Sequence, residues 1–251
     1  MSVYVITGVS KGIGFELVRQ ISEDTNTLVI GLVRDKAATE KKASLKQAAA
    51  DTAQIIGDRG VDYLVANGAF PSHFDAYDPI GNLATKPQEL EAVCSKLFQT
   101  NVVGNIHLFN LFLPSVMQGK VKKVIAISSG HADLDLINAL EVENSALYAA
   151  SKAAMNTIVA KFSAQYKRDG VLFVAVSPGV VEVGHYENVL PEQIEGLQRF
   201  MGKIAAYAPH FKGLTPVAEA VRTLRETWER LSIEGGFAGA FVSHFGNKQW
   251  L

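Results

Sequence analysis

The stretch Thr7-Gly8-Val9-Ser10-Lys11-Gly12-Ile13-Gly14 stands directly between an apolar run, Val3–Thr7, and an amphipathic pattern, Ile13–Ser22. Few arrangements constrain a chain more. Three glycines in eight residues permit a tight turn and let the backbone approach a ligand closely. The helix that follows offers free N–H groups and a positive dipole end, which suit a pyrophosphate. A glycine triplet alone reads equally as an ordinary turn. Its place at the end of a strand and the start of a helix favours a dinucleotide site.

The rest of the chain repeats the strand–helix alternation. The apolar runs Thr27–Val33, Tyr63–Ala66, Lys123–Ser128, Leu172–Ser177 and Ala240–Ser243 read as further strands. Nearly continuous apolar runs suit strands covered on both faces. Helical patterns fill the gaps at Ile13–Ser22, Lys36–Ile56, Leu90–Met117, Ala146–Tyr166, Pro191–Ile204 and Pro216–Glu229. Such alternation predicts an α/β fold: a single doubly wound, Rossmann-type parallel sheet with helices on both faces, in one domain over residues 1–251. At 251 residues the chain is long enough to bury a sizeable core.

Composition excludes other classes. Lys and Arg number 24 against 25 Asp and Glu, a formal net charge of −1, which argues against a nucleic-acid binder. With 48% hydrophobic residues the chain is not disordered. No stretch approaches a membrane span. Cys94 is the single cysteine, so neither an intrachain disulfide nor a CxxC metal site can form. No His spacing suggests a metal either. These features predict a reduced, cytoplasmic setting.

Further motifs carry chemistry. Tyr148 and Lys152 are four apart on a predicted helix and share a face. A phenol is a poor proton donor near neutrality, and a nearby ammonium lowers its pKa. On their own the two read as a half-buried Tyr and a surface Lys on an amphipathic helix.

Together the motifs resemble the classical short-chain dehydrogenases/reductases. The glycine turn matches that family's Thr-Gly-x-x-x-Gly-x-Gly, and Tyr148-Ala149-Ala150-Ser151-Lys152 matches its Tyr-x-x-x-Lys. Ile127-Ser128-Ser129-Gly130, Asn101-Val102-Val103-Gly104 and Ser177-Pro178-Gly179 match three more elements in the family's order. The terminal Gly239–Leu251 segment is similar to the sepiapterin-reductase and fungal carbonyl-reductase branch.

The resemblance implies a catalytic set of Ser129, Tyr148, Lys152 and Asn101. Ser129 would orient a substrate carbonyl, with Ser128 as its rival. Asn101 would hold a water that relays protons to Lys152, or bend its helix, or both. The dinucleotide would lie against Gly8, Ser10, Lys11, Gly12, Ile13, Gly14, Arg34, Asn67, Tyr148, Lys152, Pro178, Gly179 and Val181. Lys11 and Arg34, with no acid at the end of the second strand, favour NADP(H) over NAD. Both cations also read as solvated surface charges. The implied activity is NADPH-dependent reduction of a ketone or aldehyde on a small carbonyl or alcohol substrate.

A lid over about residues 180–213 would carry Phe200, Met201, Tyr207 and Phe211, which suit an apolar or aromatic substrate. The same side chains also fit ordinary core stripes. The helices Leu90–Met117 and Ala146–Tyr166, with Val103, Ile106, Phe109, Met155 and Ile158, permit a homodimer or pack only on the sheet.

Three departures from the family stand out. About 27 residues separate Arg34 from Asp62, room for one helix and no strand, so the edge third strand is expected to be missing or shortened. That would leave the second strand as an edge. Asn67-Gly68-Ala69 inverts the usual Ala-Gly order, and Val183 replaces a threonine after the Pro-Gly turn. The segment between Ser129 and Tyr148 is also longer than usual, and Leu134–Glu143 is expected to cover the pocket. The short Arg34–Asp62 segment motivates an alternative: a catalytically weak NADP(H)-binding sensor or interaction protein.

Overall fold

The computed structural model describes residues 1–33, 41–184, 189 and 191–251. Arg34, the first residues of the Lys36–Ile56 helix, and residues 185–188 and 190 of the expected lid lie outside the described residues.

Six strands form one parallel sheet: β1 Ser2–Thr7, β2 Thr27–Leu32, β3 Tyr63–Ala66, β4 Lys123–Ile127, β5 Leu172–Ser177 and β6 Phe241–Ser243. Their order is β2-β1-β3-β4-β5-β6. All six were legible as apolar runs, with ends within a residue or so.

Alternation along each strand divides the core in two. Val3 and Val5 of β1, Leu64 and Ala66 of β3, and Phe173 and Ala175 of β5 face one layer. That layer is closed by Phe109, Phe112 and Met155 from helices α4 (Gly104–Gln118) and α6 (Ala146–Tyr166). Tyr4, Ile6, Val65, Ile125 and Val174 face the other. Helices α1 (Gly12–Ile21) and α8 (Val217–Arg230) close it with Leu17, Val221, Leu224 and Trp228. Phe109 and Met155 are wholly buried in this core, while Val103, Ile106 and Ile158 are half-buried.

Between β2 and β3 the described residues hold α2 (Lys41–Ile56) and a short 3-10 turn, and no strand. Among the described residues β2 therefore pairs only with β1, as the short interval predicted. The Leu90–Met117 pattern resolves into α3 (Pro87–Phe98), a π-turn (Gln99–Val103) and α4. The extra stretch after Ser129 contains α5 (Leu134–Leu140), capped by the Asp133 carboxylate on the Leu136 N–H. Helix α7 runs Ile194–Tyr207. Among the described residues no helix is long and apolar enough to cross a membrane.

Asp62 anchors the start of β3. Its buried carboxylate accepts from the Val3 N–H (2.9 Å), the Lys120 N–H (2.8 Å) and the Val121 N–H (3.1 Å). Asp62→Ala would strip all three of their acceptor. Leaving a buried donor unsatisfied costs roughly 1–3 kcal/mol. We expect a loss of about 3 kcal/mol in unfolding free energy, read by urea denaturation.

Candidate active site

In a doubly wound sheet the ligand crevice lies beyond the carboxyl ends of the strands, where the strand order reverses. Here that point falls between β1 and β3. Side chains and backbone lace the two strand ends together. The N–H groups of Asn67 and Gly68 donate to Thr7 Oγ1 at 3.0 and 2.8 Å. Asn67 Nδ2 donates to the carbonyls of Thr7 (3.1 Å) and Gly8 (3.2 Å). Asn67 thus braces the glycine turn.

Gly8 has φ +70, and a Cβ there would stand 2.7 Å from Gly68 Cα. The inverted Gly68-Ala69 order places a glycine at this close approach. A Cβ on Gly14 would lie 2.3 Å from the Gly8 carbonyl oxygen. Glycine is what lets α1 begin so close to the turn. Lys11, at the N-cap of α1, makes no side-chain cap, and its side chain is exposed. The first-turn N–H groups of Gly12, Ile13 and Gly14 have no intrahelical partner to meet. Ser10 is exposed on the same turn. An uncapped helix start over a glycine cradle fits a dinucleotide's pyrophosphate.

Leaving β5, Pro178 and Gly179 are half-buried, and Val181 is buried through a bridge to Thr215. Val183 is 42% exposed and lies over Gly12, within 3.5 Å of a Cβ built there. The chain after β5 therefore returns across the glycine turn.

Helix α6 presents Tyr148, Ser151, Lys152, Met155 and Asn156 inward at helical spacing. Three of them stitch it to its neighbours. Lys152 Nζ donates to the Ile127 carbonyl at 2.7 Å. Ser128 Oγ donates to Asn156 Oδ1 at 2.7 Å. Asn101 Nδ2 donates to Ser151 Oγ at 3.1 Å. Asn101 is fully buried in the π-turn, and its amide also pairs with both backbone groups of Phe70. A π-turn widens the helix by one residue and turns its carbonyls aside. Asn101 thus interrupts the regular helix at the π-turn and ties it to Phe70 and Ser151.

The two serines differ. Ser128 is 2% exposed and held under α6 by Asn156. Ser129 is half-buried, and its Oγ accepts from the His131 N–H at 3.3 Å, a role that leaves its hydroxyl proton to give. The His131 ring packs 5.2 Å from that of Phe200 on α7.

Lys152 Nζ lies 5.8 Å from the centre of the Tyr148 ring. Burial lowers the Lys152 ammonium to about 8 and pushes the Tyr148 phenol up to about 12. The sequence led us to expect the phenol to be lowered by its neighbour. Burial of the phenol itself raises it, and the ammonium is turned onto the Ile127 carbonyl.

Sequence reasoning missed the contacts of Ser151, Asn156 and Phe70. None belongs to a motif with its own spacing, and all act through contacts between distant segments.

The sequence matches the short chain dehydrogenase family over residues 2–194. It is 67% identical to a short-chain dehydrogenase/reductase, iacC, of Pestalotiopsis fici, and 50% identical to the short chain dehydrogenase virK of Hypocrea virens. Both matches cover 100% of each chain. They run over 272 and 273 positions against 251 residues here, so each relative carries residues this chain lacks. The fold superposes on an NADPH-bound carbonyl reductase from chicken fatty liver with a TM-score of 0.74, at 21% identity over 98% of both chains. The chain is an oxidoreductase that belongs to the short-chain dehydrogenase/reductase family.

Proposed function

We propose that this protein is an NADPH-dependent carbonyl reductase that converts a ketone or aldehyde of a small apolar or aromatic molecule to an alcohol. One observation carries the reading. Helix α6, which carries Tyr148 and Lys152, is held to the end of β4 by the Lys152–Ile127 and Ser128–Asn156 hydrogen bonds, beside the strand order's reversal. The dinucleotide would be held by the glycine turn, with Gly8, Ser10, Gly12, Ile13 and Gly14 at the pyrophosphate and Lys152 at the nicotinamide ribose. Pro178, Gly179 and Val181 would line the nicotinamide end. The chemistry it supplies when bound is hydride transfer to the carbonyl carbon.

The chain's own residues do the rest. Ser129 donates its hydroxyl proton to the substrate oxygen and fixes the carbonyl's direction. Tyr148 gives its proton to the oxygen as negative charge develops there. A phenol near 12 is protonated at neutral pH and still far more acidic than the alcohol formed. The Lys152 ammonium stabilises the phenolate left behind. Asn101 holds α6 against the loop after β3 and would hold a water that relays protons to Lys152. Phe200, on His131, contributes an apolar wall.

The NADPH preference rests on Lys11, exposed at the start of α1, and on Arg34 after β2. The chicken reductase, similar in fold, is bound to NADPH. The single Cys94 suits a reduced, cytoplasmic setting. The half-buried Val103, Ile106 and Ile158 leave apolar surface for pairing two copies through α4 and α6.

Calorimetric titration tests the reading. NADPH is expected to bind at least tenfold more tightly than NADH, and Lys11→Ala to narrow that ratio severalfold. A folded, monodisperse sample that binds neither dinucleotide overturns it.

A further inference from the structure

Helix α6 carries Tyr148 in its first turn, and that turn is not capped by its own sequence. Ser145, at the N-cap position, is in the left-handed region (φ 55) and makes no side-chain cap. Its hydroxyl donates instead to the Ala76 carbonyl at 3.0 Å. The cap comes from a residue 72 positions earlier in the chain. Asp75 Oδ2 accepts from the Leu147 N–H at 2.8 Å and from the Tyr148 N–H at 3.1 Å. The Asp75 carbonyl also accepts from the Ser145 N–H at 2.7 Å, and Asn144 Nδ2 donates to the Ala76 carbonyl at 2.8 Å.

Asp75 is wholly buried. Its other carboxylate oxygen, Oδ1, is buried without a hydrogen-bond partner among the described residues. A buried, half-satisfied carboxylate is destabilising by itself. At a helix start it is opposed by the positive dipole end and by charge-assisted bonds to free N–H groups. With an extended backbone, Ser145 itself could cap the turn locally with no buried charge. The distant carboxylate does something a local cap does not. It ties the first turn of α6 to the loop after β3, the same loop that carries Asn67 against the glycine turn and Phe70 against Asn101.

We propose that Asp75 is a positioning residue for Tyr148. It fixes the tyrosine's backbone relative to the dinucleotide side of the crevice, and so the place where the phenol meets the substrate oxygen. It touches no reacting atom. The inference rests on the carbonyl-reductase reading for its effect on turnover, but not for the cap itself.

The test uses the full chain with Asp75→Ala and Asp75→Asn, assayed well below their melting temperatures. An asparagine oxygen still accepts both N–H groups; alanine accepts neither. D75A is expected to lower kcat about tenfold or more with KM and NADPH affinity within twofold, and D75N to recover most of that kcat. Should D75A fail to fold, Asp75→Ser, whose hydroxyl can accept one bond, is read in the same way with a smaller fall. Unchanged kcat in D75A overturns the proposal. So does a joint loss of kcat, KM and cofactor affinity that D75N does not relieve, which marks a purely structural role.

Amide hydrogen exchange over residues 146–151 is the second readout. Faster exchange at Leu147 and Tyr148 in D75A supports the cap, and unchanged exchange overturns it. A wild-type protein that reduces no carbonyl overturns the carbonyl-reductase reading instead, and the exchange measurement still decides on Asp75.

Discussion

Tyr148→Phe is expected to lower carbonyl reduction by roughly 10²–10⁴-fold, the usual contribution of a positioned general acid. NADPH binding and the melting temperature should change little. The side chain keeps its ring and loses one hydroxyl, and the hydrogen bonds that seat α6 come from Ser151, Lys152 and Asn156. Single-turnover rates, compared with calorimetric affinity, separate the chemical step from binding. The pH profile of the wild type adds a second check. Burial holds the Lys152 ammonium at about 8, so it is charged below that pH and neutral above it. The charged form stabilises the phenolate left by proton transfer. Reduction should therefore plateau on the acid side and fall as pH rises through about 8. The phenol, held at about 12, stays protonated across that range and adds no limb of its own. Lys152→Met should flatten the fall and lower the plateau. Reduction by Y148F at the wild-type rate would remove Tyr148 from the proton's path.

The sheet was legible because each strand's alternation is written in the chain. Val3 and Val5 against Tyr4 and Ile6 already separate the two layers. The short interval after Arg34 was equally plain, since about 27 residues give room for one helix and no strand. Tyr148, Lys152 and Ser129 could be named from the sequence because they stand at fixed positions in motifs that resemble the family's. What holds them was not. Asp75 caps a helix 72 positions away, Asn156 holds Ser128 28 positions away, and Ser151 meets Asn101 across 50. Such pairs exist only after the sheet has set its order, and no local pattern announces them. The break in Leu90–Met117 was foreseen only as one reading of Asn101, a local bend, and not as a π-turn. A π-turn keeps helical composition, and only Asn101's burial against Phe70 shows why the extra residue is there. The direction of the Tyr148 shift was misjudged because the sequence shows the neighbouring ammonium but not the burial of the phenol itself.

Gly14→Ala should abolish tight dinucleotide binding while leaving the sheet intact. The backbone of Gly14 is ordinary helix, so the penalty is one of space alone. Its Cβ would fall 2.3 Å from the Gly8 carbonyl oxygen, 2.9 Å from the Gly8 carbonyl carbon and 2.5 Å from Asn67 Nδ2. Asn67 could swing away, but it would then release the Thr7 and Gly8 carbonyls it braces. Gly8 cannot yield, because it already stands against Gly68. The remaining relief is for α1 to withdraw from the turn, which pulls its first N–H groups off the pyrophosphate. Overpacking of this kind costs roughly 1–3 kcal/mol. At about 1.4 kcal/mol per tenfold, affinity for NADPH should fall by roughly 10–100-fold, with a lower melting temperature for the free protein. Gly202→Ala is the matched control. Gly202 lies exposed on α7 with nothing within 4 Å of a built Cβ. There alanine should leave NADPH affinity unchanged and hold or raise stability by about 0.5–1 kcal/mol. Binding of NADPH by G14A as tight as wild type would mean that the contact of α1 with the glycine turn does not form the dinucleotide site.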